Sequence, residues 1–359
     1  METIQMDENG TELSVPVRRI KRVATKPTPV AKNEKPMGLD IGTMNLVSAI
    51  KDGTGMKIEM MRNMFLKVDK ANLGSLDITG ISHVEINGEL FLLSDDAMNL
   101  ANVFGAKVSR PMSRGMISSK EFDSASILSV MVGELIGKGD GSLCCYSVPA
   151  NPVDADMNVV FHTGVFERIV RNFGYKPIAL HEGVAVIYSE CAAEDYTGLG
   201  ISCGAGMVNI ALTYKSIPVM CFSVARSGDW IDENAGNAVG VLPSRATSIK
   251  EREDFNLSDF TAPKRNEQAI RESLIYYYRS MISYILSNIV KELSKVTADL
   301  PDSIPVIVAG GTSRANGFIE MMTEEFESVE LPFDISSIRA AKNPMTAVAE
   351  GCLVRATKG

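Results

Sequence analysis

The residues with the clearest chemical potential lie in two short glycine-containing turns and at one later strand end. The first turn is in "GLDIGTMNLVSAI", Gly38 to Ile50, where Asp40 stands at the lip of a turn containing Gly42, Thr43 and Asn45. The second is in "GLGISCGAGMVNIAL", Gly198 to Leu212, with Gly204, Ala205 and Gly206 at its tip. In both, a short apolar strand, a turn of small residues and a second apolar strand follow one another, about 160 residues apart. Without a Cβ in the way, backbone N–H groups at such a tip can converge on an anion. Two opposed turns can therefore hold a polyphosphate from both sides. Asp40 can then face a divalent cation, because magnesium keeps most of its water and needs one or two carboxylates. Each segment alone is equally a plain β-hairpin. The third element is "IPVIVAGGTSRANGF", where an apolar strand runs into Gly310, Gly311 and Thr312 before a helix. Bare backbone there suits a flat ligand, and the helix start adds N–H donors; glycines also serve simple strand-to-helix turns.

The elements that must carry these turns alternate in type. Strand-like stretches are "MGLDI", "NLVSAI", "LCCYSVP", "LGISC", "MVNIAL", "IPVMCFSV" and "IPVIVAG". Helical periodicity predicts helices over 162–173, 182–193, 266–296 and 315–327. In the longest, Ile270, Leu274, Tyr277, Met281, Ile285, Ile289 and Leu293 recur at steps of three and four, which marks a core helix. Hairpins mixed with helices predict an α/β fold with mixed sheets.

Composition bounds the function classes. A chain of 359 residues, 45% hydrophobic, can bury two medium cores. A net charge of −8 argues against general nucleic-acid binding. Six cysteines without CxxC spacing and three scattered histidines suggest neither disulfides nor a metal cluster, as in a reduced, cytoplasmic protein. No apolar run reaches the length of about 18 residues needed for a membrane span. Residues 1–35 differ from the remainder. "SVPVRRIKRVATKPTPVAKN" carries six basic residues, three prolines and no acid, which predicts a disordered arm. It is either a solubilising tail or a contact for an anionic membrane surface or acidic partner.

Two common nucleotide signatures are absent. "GELIGK" falls short of the GxxxxGK[ST] spacing, and "GLGISCG" is not GxGxxG and leads into a strand.

The ordered set resembles the superfamily of actin, heat-shock chaperones and sugar kinases, and within it the bacterial actins of the MreB and MamK type. "RPMSRGMIS" (Arg110 to Ser118) resembles a stretch those proteins carry before a first-domain helix. "SVPANPVD" resembles their strand ending in proline, and "ALHEGVAVIYS" their first connecting helix. "SGDWIDENAG" resembles the Gly-Asp stretch after the second hairpin. "KNPMTAVAEGC" resembles the last connecting helix, with Ala349 and Gly351 at the domain crossing. The resemblance runs from about Lys35 to Ala356.

It implies a two-domain actin-like fold with duplicated mixed sheets flanked by helices and a nucleotide cleft between the domains. Domain I would hold 36–190 plus 336–359, and domain II 191–335, with subdomain IIB trimmed near 237–266. ATP with Mg²⁺ is the implied ligand, and the implied partner is a second copy of the chain in a homopolymeric filament. Gly42, Thr43 and Asn45 map to the first phosphate loop, with Asp40 facing the metal. Gly204, Ala205 and Gly206 map to the second loop, Gly310, Gly311 and Thr312 to the adenosine turn, and Lys250 and Glu251 to the adenine and ribose contacts. Glu182 takes the place of the water-positioning residue; read from its position alone, it is a carboxylate favoured by the start of a helix. One departure stands out: Ser202 occupies a place where relatives carry Asp. The loss of an anion predicts slow hydrolysis that Ser202→Asp would raise, unless Asp229 already supplies the charge. Within the same superfamily, a non-polymerising adaptor of the division or pilus type and a sugar or acetate kinase are the alternatives.

Overall fold

The computed structural model describes residues 5–6, 12–13, 32–33, 35–69, 80–118, 123–261, 264 and 267–358. The predicted basic arm lies almost wholly outside the described residues; Lys32–Asn33 pairs in parallel with Lys138–Gly139.

The chain opens with β1 (Met37–Ile41), β2 (Asn45–Asp52) and β3 (Gly55–Arg62). Next come β4 (Phe65–Val68), β5 (His83–Ile86), β6 (Glu89–Leu93) and α1 (Ser94–Phe104). α2 (Ser124–Ile136), β7 (Leu143–Val148), α3 (Val159–Asn172), β8 (Lys176–His181) and α4 (Glu182–Glu190) follow. The second half begins with β9 (Gly198–Cys203), β10 (Val208–Tyr214) and β11 (Ile217–Val224). It continues with α5 (Gly228–Val239), α6 (Pro243–Lys250) and α7 (Gln268–Leu293). It closes with β12 (Ser303–Ala309), a 3₁₀ turn at Gly311–Arg314, α8 (Phe318–Glu327), β13 (Asp334–Ala340) and α9 (Ala347–Lys358).

Two five-stranded sheets have the same topology. One runs β8-β7-β1-β2-β3 and the other β13-β12-β9-β10-β11. In each, the first strand pairs antiparallel with the second and parallel with the fourth. The two outer pairs also match: antiparallel on the hairpin side, parallel on the crossover side. α3 and α8 occupy equivalent crossovers, and α4 and α9 each follow the last strand of their set. The duplication expected from the two glycine turns thus extends through ten strands.

The described residues form two compact units. Phe65–Ser109 belongs to one; Pro29–Met64 and Arg110–Gly359 hold the described residues of the other. In the first, β6 lies between β4 and β5, and Leu66, Val68, Leu90, Leu92, Ala97 and Ala101 form its core. The second unit contains both five-stranded sheets. Its larger core gathers apolar residues of β9–β12, α7 and α8, including six of the seven residues of the predicted α7 stripe; Tyr277 is half-buried against them. A second cluster joins Ala185, Val186 and Ile187 of α4 to Ala347, Val348 and Cys352 of α9. A Cβ at Gly351 would fall on the backbone of Ala185, so these two helices pack backbone to backbone.

Helix boundaries shift from their predicted positions for local reasons. α3 begins three residues early because the Asn158 side chain accepts from the Phe161 N–H. The helix expected over 315–327 starts three residues late, at Phe318 after Gly317, whose φ is 83°, and a separate 3₁₀ turn at Gly311–Arg314 precedes it. α4 ends at Glu190, where that carboxylate binds Arg339 and the Lys342 N–H.

Candidate nucleotide site

The site begins with two turns of identical construction. In the β1–β2 hairpin, Gly42 N–H donates to Asn45 O at 3.0 Å; in the β9–β10 hairpin, Gly204 N–H donates to Met207 O at 3.0 Å. Asn63 fixes the first turn by donating its Nδ2 to Gly42 O at 2.9 Å. The tips meet. Thr43 Oγ1 accepts from Gly115 N–H at 3.1 Å, and a Cβ on Gly206 would fall on both Thr43 Oγ1 and Gly115 N. No residue larger than glycine fits at 206 without parting the tips.

The strand end at Gly310 joins the second turn. Thr312 Oγ1 donates to Gly204 O at 2.8 Å, as does Gly228 N–H at 3.2 Å. Tyr278 OH donates to Thr312 O at 3.2 Å from the core helix α7. Lys250 adjoins this group through Gly228 O at 3.2 Å, but its ammonium is committed to Asp232 at 2.7 Å. Glu251 follows at the C-terminal end of α6, where its N–H bonds Thr247 O. Gly204, Gly310, Gly311, Thr312 and Lys250 are therefore drawn to one place, with Glu251 at its margin.

Asp40 and Glu182 form the acidic part. Ser147 Oγ donates to Asp40 Oδ1 at 2.8 Å and accepts from Ile41 N–H at 2.8 Å, which locks the Asp40 rotamer to β7. Glu182 is the first residue of α4, whose N-terminal end lies on β9 and β10. Ser202 Oγ donates to Glu182 Oε2 at 3.0 Å. Burial, followed by repulsion from Asp40, raises the proton affinity of Glu182 to a pKa of about 8; the hydrogen bond from Ser202 and the nearby amide of Asn209 work against that rise. Burial likewise raises Asp40 to about 6, opposed by its bond from Ser147. Among the described residues no basic side chain offsets either shift. Two carboxylates close enough to repel, with no neighbouring cation, suit a hydrated divalent ion held by one carboxylate and a ligand's phosphates. Among the described residues no group of three or more His, Cys, Asp or Glu forms an all-protein metal site.

Asp229 does not supply a free charge here. Arg110 binds it through both guanidinium nitrogens, at 3.1 and 2.9 Å. Sequence reasoning placed Arg110 in a family-like stretch and Asp229 in another, and missed that they pair across 119 residues. It also missed Ser147 and Asn209. Their signal is faint: Ser147 is a polar residue in the apolar run "LCCYSV", and Asn209 one in "MVNIAL".

Comparison with known proteins agrees with this architecture. Among solved structures, the chain is similar to the MamK double helical filament subunit at 16% identity, covering 91% of this chain and 99% of that one, with a TM-score of 0.66. MreB5 of Spiroplasma citri bound to AMPPNP matches at 12% identity over 89% of this chain and 95% of that one, with a TM-score of 0.64. The ethanolamine utilization protein EutJ from Carboxydothermus hydrogenoformans matches at 15% identity over 90% and 92%, with a TM-score of 0.50. No curated protein matches. The fold is thus the actin-like α/β fold with duplicated mixed sheets. A family model described as Volactin matches residues 36–356, nearly all of the chain outside the basic arm, and the chain belongs to the volactin family.

Proposed function

We propose that this protein binds ATP with Mg²⁺ between its two glycine turns, polymerises into filaments in the cytoplasm and hydrolyses the nucleotide slowly. The observation that carries the proposal is the meeting of two identically built hairpin tips, at Thr43, Gly115 and Gly206, in the same fold unit as a carboxylate pair that lacks a cation. Backbone N–H groups of Thr43, Ala205 and Gly206 would hold the phosphates, with Asn45 beside them, while Gly42 and Gly204 close their turns through their own N–H groups. Gly310, Gly311 and Thr312 would take the adenosine, with Lys250 and Glu251 at the ribose side. Asp40 would hold the hydrated Mg²⁺, which when bound supplies charge neutralisation for the phosphates. Residues 36–190 with 336–359 and residues 191–335 would be the two domains.

Hydrolysis on this reading is an in-line displacement. The oxygen of a water molecule attacks the γ-phosphorus, the bond to the β,γ-bridging oxygen breaks, and its electron pair leaves with ADP. The water's proton passes to the released phosphate. Glu182 orients the water by accepting a hydrogen bond, since positioning and electrostatics supply most of the rate in such transfers. Assembly rests on analogy: one similar structure is a double helical filament of MamK, and another is a MamK variant described as non-polymerising and bound to AMPPNP. Nucleotide closing two lobes would favour one subunit geometry, and head-to-tail contacts of that geometry extend without closing.

Titration calorimetry of ATP with and without Mg²⁺ tests the site. Wild type should bind in a Mg²⁺-dependent manner and Asp40→Ala should lose that dependence. Equal affinity in both proteins, with and without the ion, would remove Asp40 from the site.

A further inference from the structure

Ser202 and Asn209 face each other as register partners on the antiparallel strands β9 and β10. Both are buried, at 3% and 1% exposure. Side chains paired across a strand point to the same side of the sheet, and here that side carries the start of α4. The two residues reach Glu182 with different groups. Ser202 donates its hydroxyl to Oε2 at 3.0 Å. Asn209 Oδ1 is occupied by the Ala150 N–H at 3.0 Å, which fixes the amide so that Nδ2 is the end left over. Nδ2 is buried and completes no hydrogen bond of ordinary geometry. The amide nevertheless lies near enough to Glu182 to favour the ionised form of that carboxyl. A buried amide that spends its oxygen and leaves its nitrogen beside a carboxylate is placed to donate to that carboxylate or to a water on it.

We propose that Ser202 and Asn209 are positioning residues that hold the Glu182 carboxylate by neutral donors, fixing which of its oxygens is free to meet the attacking water. This rests on the hydrolytic reading given above. It also gives Ser202 a purpose other than a missing anion. Asp40 and Glu182 already repel each other, so a third carboxylate at 202 would remove a donor and add a like charge. Ser202→Asp should therefore slow turnover, the reverse of the expectation from sequence.

The test uses the full-length chain with Mg-ATP. Single-turnover phosphate release gives the rate, and a fluorescent ATP analogue gives the nucleotide Kd. Ser202→Ala should slow release roughly tenfold, as expected for loss of one hydrogen bond to a charged group, while Kd changes by less than about twofold. Ser202→Thr retains the hydroxyl and should restore the rate to within about threefold of wild type. Asn209→Asp keeps the acceptor for Ala150 but turns the donor into an anion, and should slow release at least as much as Ser202→Ala. Wild-type rates in Ser202→Ala, equal losses in the Ala and Thr variants, or faster release in Ser202→Asp would each overturn the proposal. If wild type binds nucleotide yet releases no phosphate, the hydrolytic reading fails and takes this proposal with it. Turnover in wild type with unchanged variants would overturn the positioning role alone.

Discussion

At the scale of single residues, the account depends on where each carboxylate spends its charge. Asp232 is taken by Lys250 and Asp229 by Arg110, whereas Asp40 and Glu182 accept from the hydroxyls of Ser147 and Ser202 and repel each other. Glu182→Gln keeps the shape but puts a neutral amide in place of an ionisable carboxyl, so the residue cannot become the carboxylate that orients the water. Phosphate release should fall about 100-fold or more, the low end for a lost acid–base or water-orienting group, with nucleotide affinity nearly intact. Parallel loss of binding and turnover would make Glu182 structural. A second titration is independent of the site. His162 is buried, accepts from Ile117 N–H on Nδ1 and leaves Nε2 without a partner, and burial lowers its pKa to about 4. Because the unfolded chain takes up this proton first, near 6.5, the stability His162 contributes is full above that pH and is lost as pH falls towards 4. Thermal melts should show that acid limb in wild type and a shallower one in His162→Asn. Identical slopes would mean the imidazole titrates normally. The residues legible in the sequence were those in short contiguous patterns, such as Gly42-Thr43 and Gly310-Gly311-Thr312. Ser147, Asn209 and the Arg110–Asp229 pair were not legible, because each is held by a partner at least 59 residues away.

At the scale of elements, glycine sets how closely the pieces approach. The hairpins and four of the nine described helices, α3, α4, α7 and α8, could be read from apolar periodicity and turn residues. The close contacts between them could not, since nothing local marks Gly206 as facing Thr43 or Gly351 as facing Ala185. Gly206→Val should part the two tips, weakening Mg-ATP at least tenfold in calorimetry, whereas the same change at solvent-exposed Gly164 should leave affinity unchanged. Gly351→Val should act on folding instead. Its side chain would enter the α4 backbone, and overpacking of a tight contact costs about 1–3 kcal/mol, read as a lower midpoint in chemical denaturation. An unchanged midpoint would mean α9 can shift away without loss.

At the scale of the molecule, one sheet plan used twice gives two equivalent hairpins that meet at their tips. That symmetry was foreshadowed in the sequence by two glycine turns in similar settings. Its full extent was hidden, because the parallel outer strands β8 and β13 share no motif. Lys32–Asn33, at the end of the basic arm, pairs with Lys138–Gly139 in a two-stranded ladder outside both five-stranded sheets, and deletion of residues 1–34 should leave assembly intact while altering any attachment to anionic surfaces. Pelleting that fails only in the truncated chain would give the arm a structural role.

The most direct test of the central claim is electron microscopy of the purified full-length protein with Mg-ATP, alongside a nucleotide-free control. The account predicts filaments with Mg-ATP and far fewer without it. Particles that bind Mg-ATP yet stay dispersed across protein and salt concentrations would contradict it and favour a non-polymerising adaptor.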